Sequence, residues 1–414
     1  MKKERELRNF FNPKSIAIVG ASDNPEKVGG ILMDKLKKFK GIVIPINPKY
    51  KIVTGKKAYI SILEYSFEID LAIIAIPAKF VNQSLKQCGQ KKIKNVIIIS
   101  AGFSEQGNKT LENQLVKTAK EYNINLLGPN CFGISNPYLN LDTTFANATP
   151  SKGDIAFISQ SGALASYVFD FVDAELSGFV SLGNMADLCF ADWIEYFNKD
   201  KNTKKIILYV EKIKEGKRFI EVCKKSNKEI IAIKAGKTSE GAEAAISHTG
   251  SLATDYNIYK GAFKQAGIKL APSIFGAFSY AKMKVLPKNN RVAIVTNAGG
   301  AGALMTDACI KQGIKVTKEP IDILGTATAK QYKETLEKLK SQTFYDSVIV
   351  ILTPQRMSQP EKTAQEIIKF SKSKPVVACF LGEKSTSKAK ILLEKNNVLC
   401  LDRIQEVAEV LGVV

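Results

Sequence analysis

SIAIVGASDNPEKVGG, residues 15–30, reads as a short apolar strand closed by a glycine, a turn of small and polar residues, and the start of an amphipathic helix from about Val28 to Phe39. Strand, glycine-bearing turn and helix form the arrangement that cradles phosphate, because the unpaired N–H groups of the first helical turn and the helix dipole face an anion. The glycines are not spaced as GxGxxG. Gly20 closes the strand, Ala21 and Ser22 follow, and Gly29-Gly30 come later. By spacing alone this is a weak dinucleotide signal.

The alternation continues outward from that stretch. IVIPINPKY (42–50), LAIIAIPA (71–78), VIIISAGF (96–103) and NLLGPNCFGI (125–134) read as strands with helices between them. Their continuous apolar runs suit a sheet covered on both faces. The pattern then restarts with IAFIS (155–159), FVSLGNMAD (179–187), IILYVE (206–211) and IIAIKAGKT (230–238). It restarts again with RVAIVTNAGGAGALMTDACIKQG (291–313), VIVILTP (348–354) and VVACFLG (376–382), while 317–346 reads as an irregular start followed by a helix. AFISQSGALASYVFD (156–170) lies over AIVTNAGGAGALMTD (293–307), a structural echo between the last two units. The expected fold is α/β, with three doubly wound parallel-sheet domains at 1–142, 143–288 and 289–414. Ligands in such sheets bind beyond the carboxyl ends of the strands, where residues 20–24, 47–49, 77–78, 100–103 and 128–133 fall.

Composition narrows the function classes. A net charge of +20 fits either nucleic acid or anionic small molecules. The lysines are spread over helix faces (KKFK, NKDKNTKK), with no basic tail and no aromatic-basic interleaving, so solvated faces and no nucleic-acid partner are expected. No apolar run approaches the roughly 20 residues of a membrane span. MKKERELRNFF lacks the apolar region of a secretory signal. Seven scattered cysteines without a CxxC argue against a disulfide framework or a zinc site, and for a reducing cytoplasm. No metal site is expected in this chain.

One residue invites chemistry. His248, in AISHTGSLA, is the sole histidine, set among small and hydroxyl residues that leave room beside the ring. A neutral imidazole is a nucleophile near neutral pH and can carry a covalent intermediate, oriented through its other nitrogen. Glu211, at the end of a strand in the same unit, is the candidate orienter. Two turns, Ser159-Gln160-Ser161-Gly162 and Thr296-Asn297-Ala298-Gly299-Gly300, each open a helix with unpaired N–H groups suited to a phosphoryl group.

FFNPKSIAIVGASDNPEKVGG, INPKY, SAGFSE, LLGPNCFGI, ISQSGA, SLGN, AISHTGSLA and VTNAGGAG, in that order, resemble the ADP-forming (NDP-forming) acyl-CoA synthetases, the acetate-CoA ligase type, over essentially the whole chain. The first two units are also similar to the alpha subunit of succinyl-CoA synthetase. The resemblance implies a Rossmann-like CoA-binding domain followed by two flavodoxin-like ligase domains. It implies that acyl-CoA, ADP and phosphate interconvert with acid, ATP and CoA through acyl phosphate and a phosphohistidine at His248, with Glu211 as its partner. Carried over by position, Gly20, Ala21, Ser22, Lys27, Lys49, Pro77, Ala101, Gly102 and Asn130 line the CoA site. Ser159, Ser161, Gly162, Asn297, Gly299 and Gly300 bind the phosphate. Single-chain relatives continue into an ATP-grasp region, so the resemblance implies an alpha subunit of an α2β2-type assembly, with ADP/ATP and Mg bound mainly on a beta subunit. The chain departs from the family pattern where Lys318-Glu319-Pro320-Ile321-Asp322 follows the third unit's first helix at once, and where GGAG replaces GGPG. The competing readings are a succinate-type ligase subunit and a non-catalytic CoA-binding regulatory protein. A nicotinamide dehydrogenase is disfavoured because Asn47-Pro48-Lys49, rather than an acid, ends the second strand.

Overall fold

The computed structural model of the chain describes residues 6–171, 174–241, 243, 255–283, 285 and 290–413. The chain divides into two compact units, Met1–Ile268 and Lys269–Val414.

The first unit holds two sheets. Strands β1 (Ser15–Val19), β2 (Ile42–Ile46), β3 (Leu71–Ile74), β4 (Asn95–Ile98) and β5 (Asn125–Leu127) form a parallel sheet in the order β2-β1-β3-β4-β5. Every residue of β1, β3 and β4 is buried, because helices cover both faces. Helix α1 (Val28–Lys35) follows β1, and α2 (Ala78–Gln90) and α3 (Lys109–Glu121) follow β3 and β4. In α2 the buried residues Val81, Leu85 and Cys88 recur at helical spacing and face the sheet. The chain crosses from one side of β1 to the other between β2 and β3, so the crevice of this doubly wound sheet opens above β1 and β3.

NLLGPNCFGI does not run as a single strand. Pro129 removes a backbone donor, and Gly128, Asn130 and Gly133 take φ values of +97°, +54° and +96°, which break extended structure. The chain thereby leaves the first sheet and enters the second as β6 (Ile134–Asn136) and β7 (Leu141–Asp142), an antiparallel pair at its edge. The rest of that sheet is parallel: β8 (Ser151–Ser159), β9 (Glu175–Ser181), β10 (Lys205–Val210) and β11 (Glu229–Lys234), in the order β11-β10-β8-β9-β6-β7. Helices α4 (Gly162–Phe171), α5 (Phe190–Lys199), α6 (Gly216–Lys225) and α7 (Tyr256–Ala266) belong to this part.

The second unit includes α8 (Ile274–Lys282), and its sheet of strands from 291 onward is parallel throughout. It runs β13 (Lys315–Val316), β12 (Arg291–Thr296), β15 (Ser347–Leu352), β16 (Val376–Phe380) and β17 (Cys400–Leu401). Strand β14 (Ile321–Asp322) also pairs with β12, so 315–322 is one edge strand interrupted at Lys318–Pro320. Helices α9 (Gly299–Lys311), α10 (Ala329–Lys340), α11 (Pro360–Ser371), α12 (Ser387–Lys395) and α13 (Ile404–Leu411) complete it. All seven cysteines are free and buried, and burial pushes each thiol up, to about 12 for Cys131.

Two contacts hold the first unit together. Lys35 Nζ donates to Asp142 Oδ2 at 3.0 Å, to Ala148 O at 3.1 Å and to Thr149 Oγ1 at 2.8 Å, tying α1 to the segment that leaves β7. Asp142 is 4% exposed and also accepts from Thr144. Second, Phe10 and Phe11 pack edge-on against Trp193 of α5 at 5.2 and 5.8 Å between centroids. Phe11 also rests over Gly178, where a Cβ would stand 2.9 Å from its ring.

Lys35→Met leaves the Asp142 carboxylate without its cation and is expected to cost about 3 kcal/mol, read as a lower midpoint in denaturant unfolding. Phe11→Ala is expected to cost about 3–5 kcal/mol. Because Trp193 is the only tryptophan, the same variant red-shifts the intrinsic fluorescence, and an unchanged spectrum refutes the packing role.

Candidate functional site

Beyond the carboxyl ends of β1, β3, β4 and β5 lies a cleft of about 710 Å³. Its floor comes from the sequence-predicted strand ends: Gly20, Lys27, Pro77, Ala101 and Asn130, together with Ile76 and Ser100. Gly20 has φ +97°, and a Cβ there would stand 2.4 Å from Ala75 O. A Cβ on Gly29 would stand 1.9 Å from Gly20 O. These two glycines let the helix start press onto the strand-end backbone, the role that the later glycines play in a dinucleotide turn. Ser100 Oγ accepts from Ile76 N at 3.1 Å, fixing two strand-end loops against each other.

The other predicted residues of this group lie around the cleft rather than in its lining. Ala21 and Ser22 are buried under the turn, where Asn47 Nδ2 donates to Ala21 O at 2.7 Å. Asn47 Oδ1 accepts from Lys49 N, so the exposed Lys49 sits on a loop tied to that turn. Gly102, at φ +105°, donates through its N–H to Glu105 Oε1.

The facing wall comes from the second sheet. Ser161 and Gly162 line the cleft beside Gln160 and Ala163. Gly162 and Ala163 begin α4, so helix geometry gives their N–H groups no intrahelical acceptor. Ser159 is fully buried; its Oγ accepts from Ser161 N and donates to Ser161 O, which shapes the turn. Phe132 and Phe145, 4.2 Å apart in an edge-on pair, form the apolar side. A Cβ on Gly162 would stand 2.8 Å from Phe132 Cβ.

Glu211 follows β10, and its N–H donates to Gln160 Oε1 at 2.7 Å. Two neighbours register its charge. Burial and Glu211 push Tyr209 up to about 12. Burial lowers Lys234 at the end of β11, while Glu211 opposes the shift. The Lys234 ammonium lies 4.5 Å from the centre of the Tyr259 ring. His248 lies outside the described residues.

Asn130 is held from the second sheet. Its Nδ2 donates to Asn184 Oδ1 at 3.3 Å, and Asn184 Nδ2 donates to Glu105 Oε2 at 2.6 Å and Glu112 Oε2 at 2.8 Å. Burial works against the charge of Glu105. The Asn184 amide and the N–H groups of Gly102 and Phe103 outweigh it and hold the carboxyl below its ordinary value.

The second unit carries its own version of the turn. Thr296 Oγ1 accepts from Ala298 N at 3.0 Å and donates to Ala298 O at 2.9 Å, as Ser159 does with Ser161. Asn297 is fully buried, and its amide is engaged by Thr353 and Gln355. A Cβ on Gly299 would meet the Asp322 carboxylate at 2.8 Å, whereas Gly300 faces open space.

The sequence reading placed Ser100 and Phe132 in strand-end stretches and Gln160 in the phosphoryl turn without assigning them a role, and it missed Phe145 and Asn184 as site residues. Gln160 and Asn184 stood in the quoted motifs ISQSGA and SLGN. The aromatic pair carried no local signal, because its partners meet only after the chain changes sheets. Among the described residues, no group of three or more His, Cys, Asp or Glu could hold a metal ion, and no helix is long and apolar enough to cross a membrane.

Known proteins share this architecture. Residues 14–137 match the CoA binding domain family, and 152–284 match the succinyl-CoA ligase like flavodoxin domain. The alpha subunit of ADP-forming acetate-CoA ligase II from Pyrococcus furiosus is 43% identical, over 97% of this chain and 96% of that one. The ADP-forming acetate-CoA ligase of Methanocaldococcus jannaschii is 41% identical over 96% of this chain, which spans only 61% of that longer protein. Among solved structures, the dinucleotide forming acetyl-coenzyme A synthetase 1 of Ca. Korarchaeum cryptofilum, in complex with phosphate and ADP, superposes with a TM-score of 0.87. It is 34% identical, over 98% of this chain and 96% of that one. With near full-length identity to a named alpha subunit and an α/β architecture to match, the chain belongs to the family of ADP-forming acetate-CoA ligases.

Proposed function

We propose that this chain is the alpha subunit of an ADP-forming acyl-CoA synthetase. Acyl-CoA and phosphate give acyl phosphate and free CoA. His248 then takes the phosphoryl group, releasing the acid, and passes it to ADP to form ATP. The observation that carries the reading is the cleft itself. One opening is lined by the strand-end residues of the CoA-binding part and by the Gln160–Ala163 turn of the ligase part. A thioester bound along the first wall ends beside N–H groups that suit a phosphate, which is the proximity the first step needs.

In this reading Gly20, Pro77, Ala101 and Asn130 contact CoA, and Lys27 and Lys49 meet its phosphates. Ala21, Ser22 and Gly102 shape the turns beneath it. Ser159, Ser161 and Gly162 hold phosphate, and Asn297, Gly299 and Gly300 form the equivalent turn of the second unit. Glu211 accepts from the imidazole of His248 and fixes its tautomer. The nucleotide and Mg bind mainly on an ATP-grasp beta subunit, in an α2β2-type assembly. Seven free thiols support a cytoplasmic setting.

Incubating the chain and its beta subunit with acetyl-CoA and labelled phosphate is expected to put acid-labile label on His248. His248→Ala takes no label and makes no ATP, yet binds CoA as the parent does; ATP synthesis by that variant sinks the proposal. Lys27→Met is expected to weaken CoA about tenfold by calorimetry, or about 1.4 kcal/mol. The deficit shrinks at high salt because the lost contact is ionic.

A further inference from the structure

Gln160 is 7% exposed, lines the cleft, and sits between the two serines of the phosphate turn. Its amide orientation is dictated by its neighbours. The N–H of Glu211 reaches Oε1 at 2.7 Å and the N–H of Lys212 reaches it at 2.9 Å. Both are donors, so the oxygen faces them and the NH₂ group is left on the other side. Among the described residues that NH₂ has no hydrogen-bond partner. The donor is left open toward the cleft, where an oxygen of a bound ligand can accept from it.

The second unit supplies the control. Asn297 occupies the equivalent position of its own turn, and its Oδ1 likewise accepts from the residue after the neighbouring strand, Thr353, through N at 2.8 Å and Oγ1 at 3.0 Å. There the device is closed. Asn297 Nδ2 donates to Thr353 O at 3.0 Å and to Gln355 Oε1 at 2.7 Å. In the first unit the acceptor half of the clamp is the same and the donor half is open toward the cleft. The longer glutamine side chain carries its NH₂ one methylene further from its own backbone than asparagine would.

We propose that Gln160 is a positioning residue of the phosphoryl site: its amide oxygen fixes the strand end that bears Glu211, and its amide nitrogen donates to an oxygen of the bound phosphoryl group. This rests on the functional reading above. One side chain thus sets both the acceptor for the histidine and one donor to the group transferred.

The test uses the full chain with its beta subunit and two variants. Gln160→Glu keeps oxygens for the N–H groups of Glu211 and Lys212 but turns an anionic oxygen toward the cleft. Gln160→Met is neutral and of similar length and removes both halves. For Gln160→Glu we expect an unchanged melting temperature and an unchanged Kd for CoA. We also expect a Kd for inorganic phosphate raised at least tenfold and labelling of His248 slowed about 100-fold. Gln160→Met lowers the melting temperature and weakens phosphate by a smaller factor. If Gln160→Glu loses its fold, Gln160→Met decides on the phosphate readout. Wild-type phosphate affinity in the folded variants overturns the proposal, whatever the labelling shows. Absence of label on wild-type His248, with phosphate binding still weakened by Gln160→Glu, overturns the phosphohistidine reading and leaves this site standing.

Discussion

The ammonium of Lys35 is the constraint on which the cleft depends. The floor of the site belongs to one sheet and its facing wall to another, and neither sheet alone encloses a ligand. Lys35, 107 residues from Asp142 in sequence, binds that carboxylate, a carbonyl and a hydroxyl where the second sheet begins. A cation with three oxygen partners is well compensated for its burial, and Asp142 is satisfied in turn by two threonines. The aromatic contact of Phe10 and Phe11 with Trp193 secures the opposite end of the chain's entry into the same body. The asparagine relay from Asn130 through Asn184 to Glu105 and Glu112 crosses between the same two sheets at the rim of the cleft.

The two ligase sheets show how a turn can be reused with one contact changed. Both place a hydroxyl residue at the strand end, an amide next, and a glycine at the helix start. Both use the amide oxygen to hold the neighbouring strand. Such a clamp is economical because a parallel sheet leaves N–H groups unpaired where its strands stop. Asn297 satisfies its remaining hydrogens within its own unit, and Gln160 does not. The family's chemistry requires a place where charge arrives and leaves, and an open donor suits it better than a closed one.

Much of this was legible in the sequence because the physics involved is local. Continuous apolar runs betray strands covered on both faces, and Gly20, Pro77, Ala101, Asn130, Ser161 and Gly162 announce strand ends. The structure brings these residues into one cleft. The role of Gly29 was obscured by a turn longer than GxGxxG allows. Only the structure shows its Cβ position falling on Gly20 O. The passage of residues 134–142 into the second sheet was hidden in a motif that reads as a single strand. Lys35, Asn184 and Phe145 lay beyond reach for a different reason: their partners are distant in sequence, and nothing in a helix-face lysine or a loop asparagine names what it will meet. Asn297 reads as a ligand for phosphate by type and position; in the structure its side-chain amide bonds the backbone and side chains of Thr353 and Gln355 in its own unit, partners the sequence does not name.

Cys131 sits in the wall of the cleft, its thiol donating to Ile98 O at 3.2 Å. Burial pushes its pKa up to about 12, which disfavours the thiolate. On the proposed reading the pocket handles thioesters, and a sulfur nucleophile in its wall would divert acyl groups onto the protein by exchange. Burial in an apolar setting and a carbonyl acceptor keep that sulfur protonated, so the acyl group finds no rival thiol where it is bound.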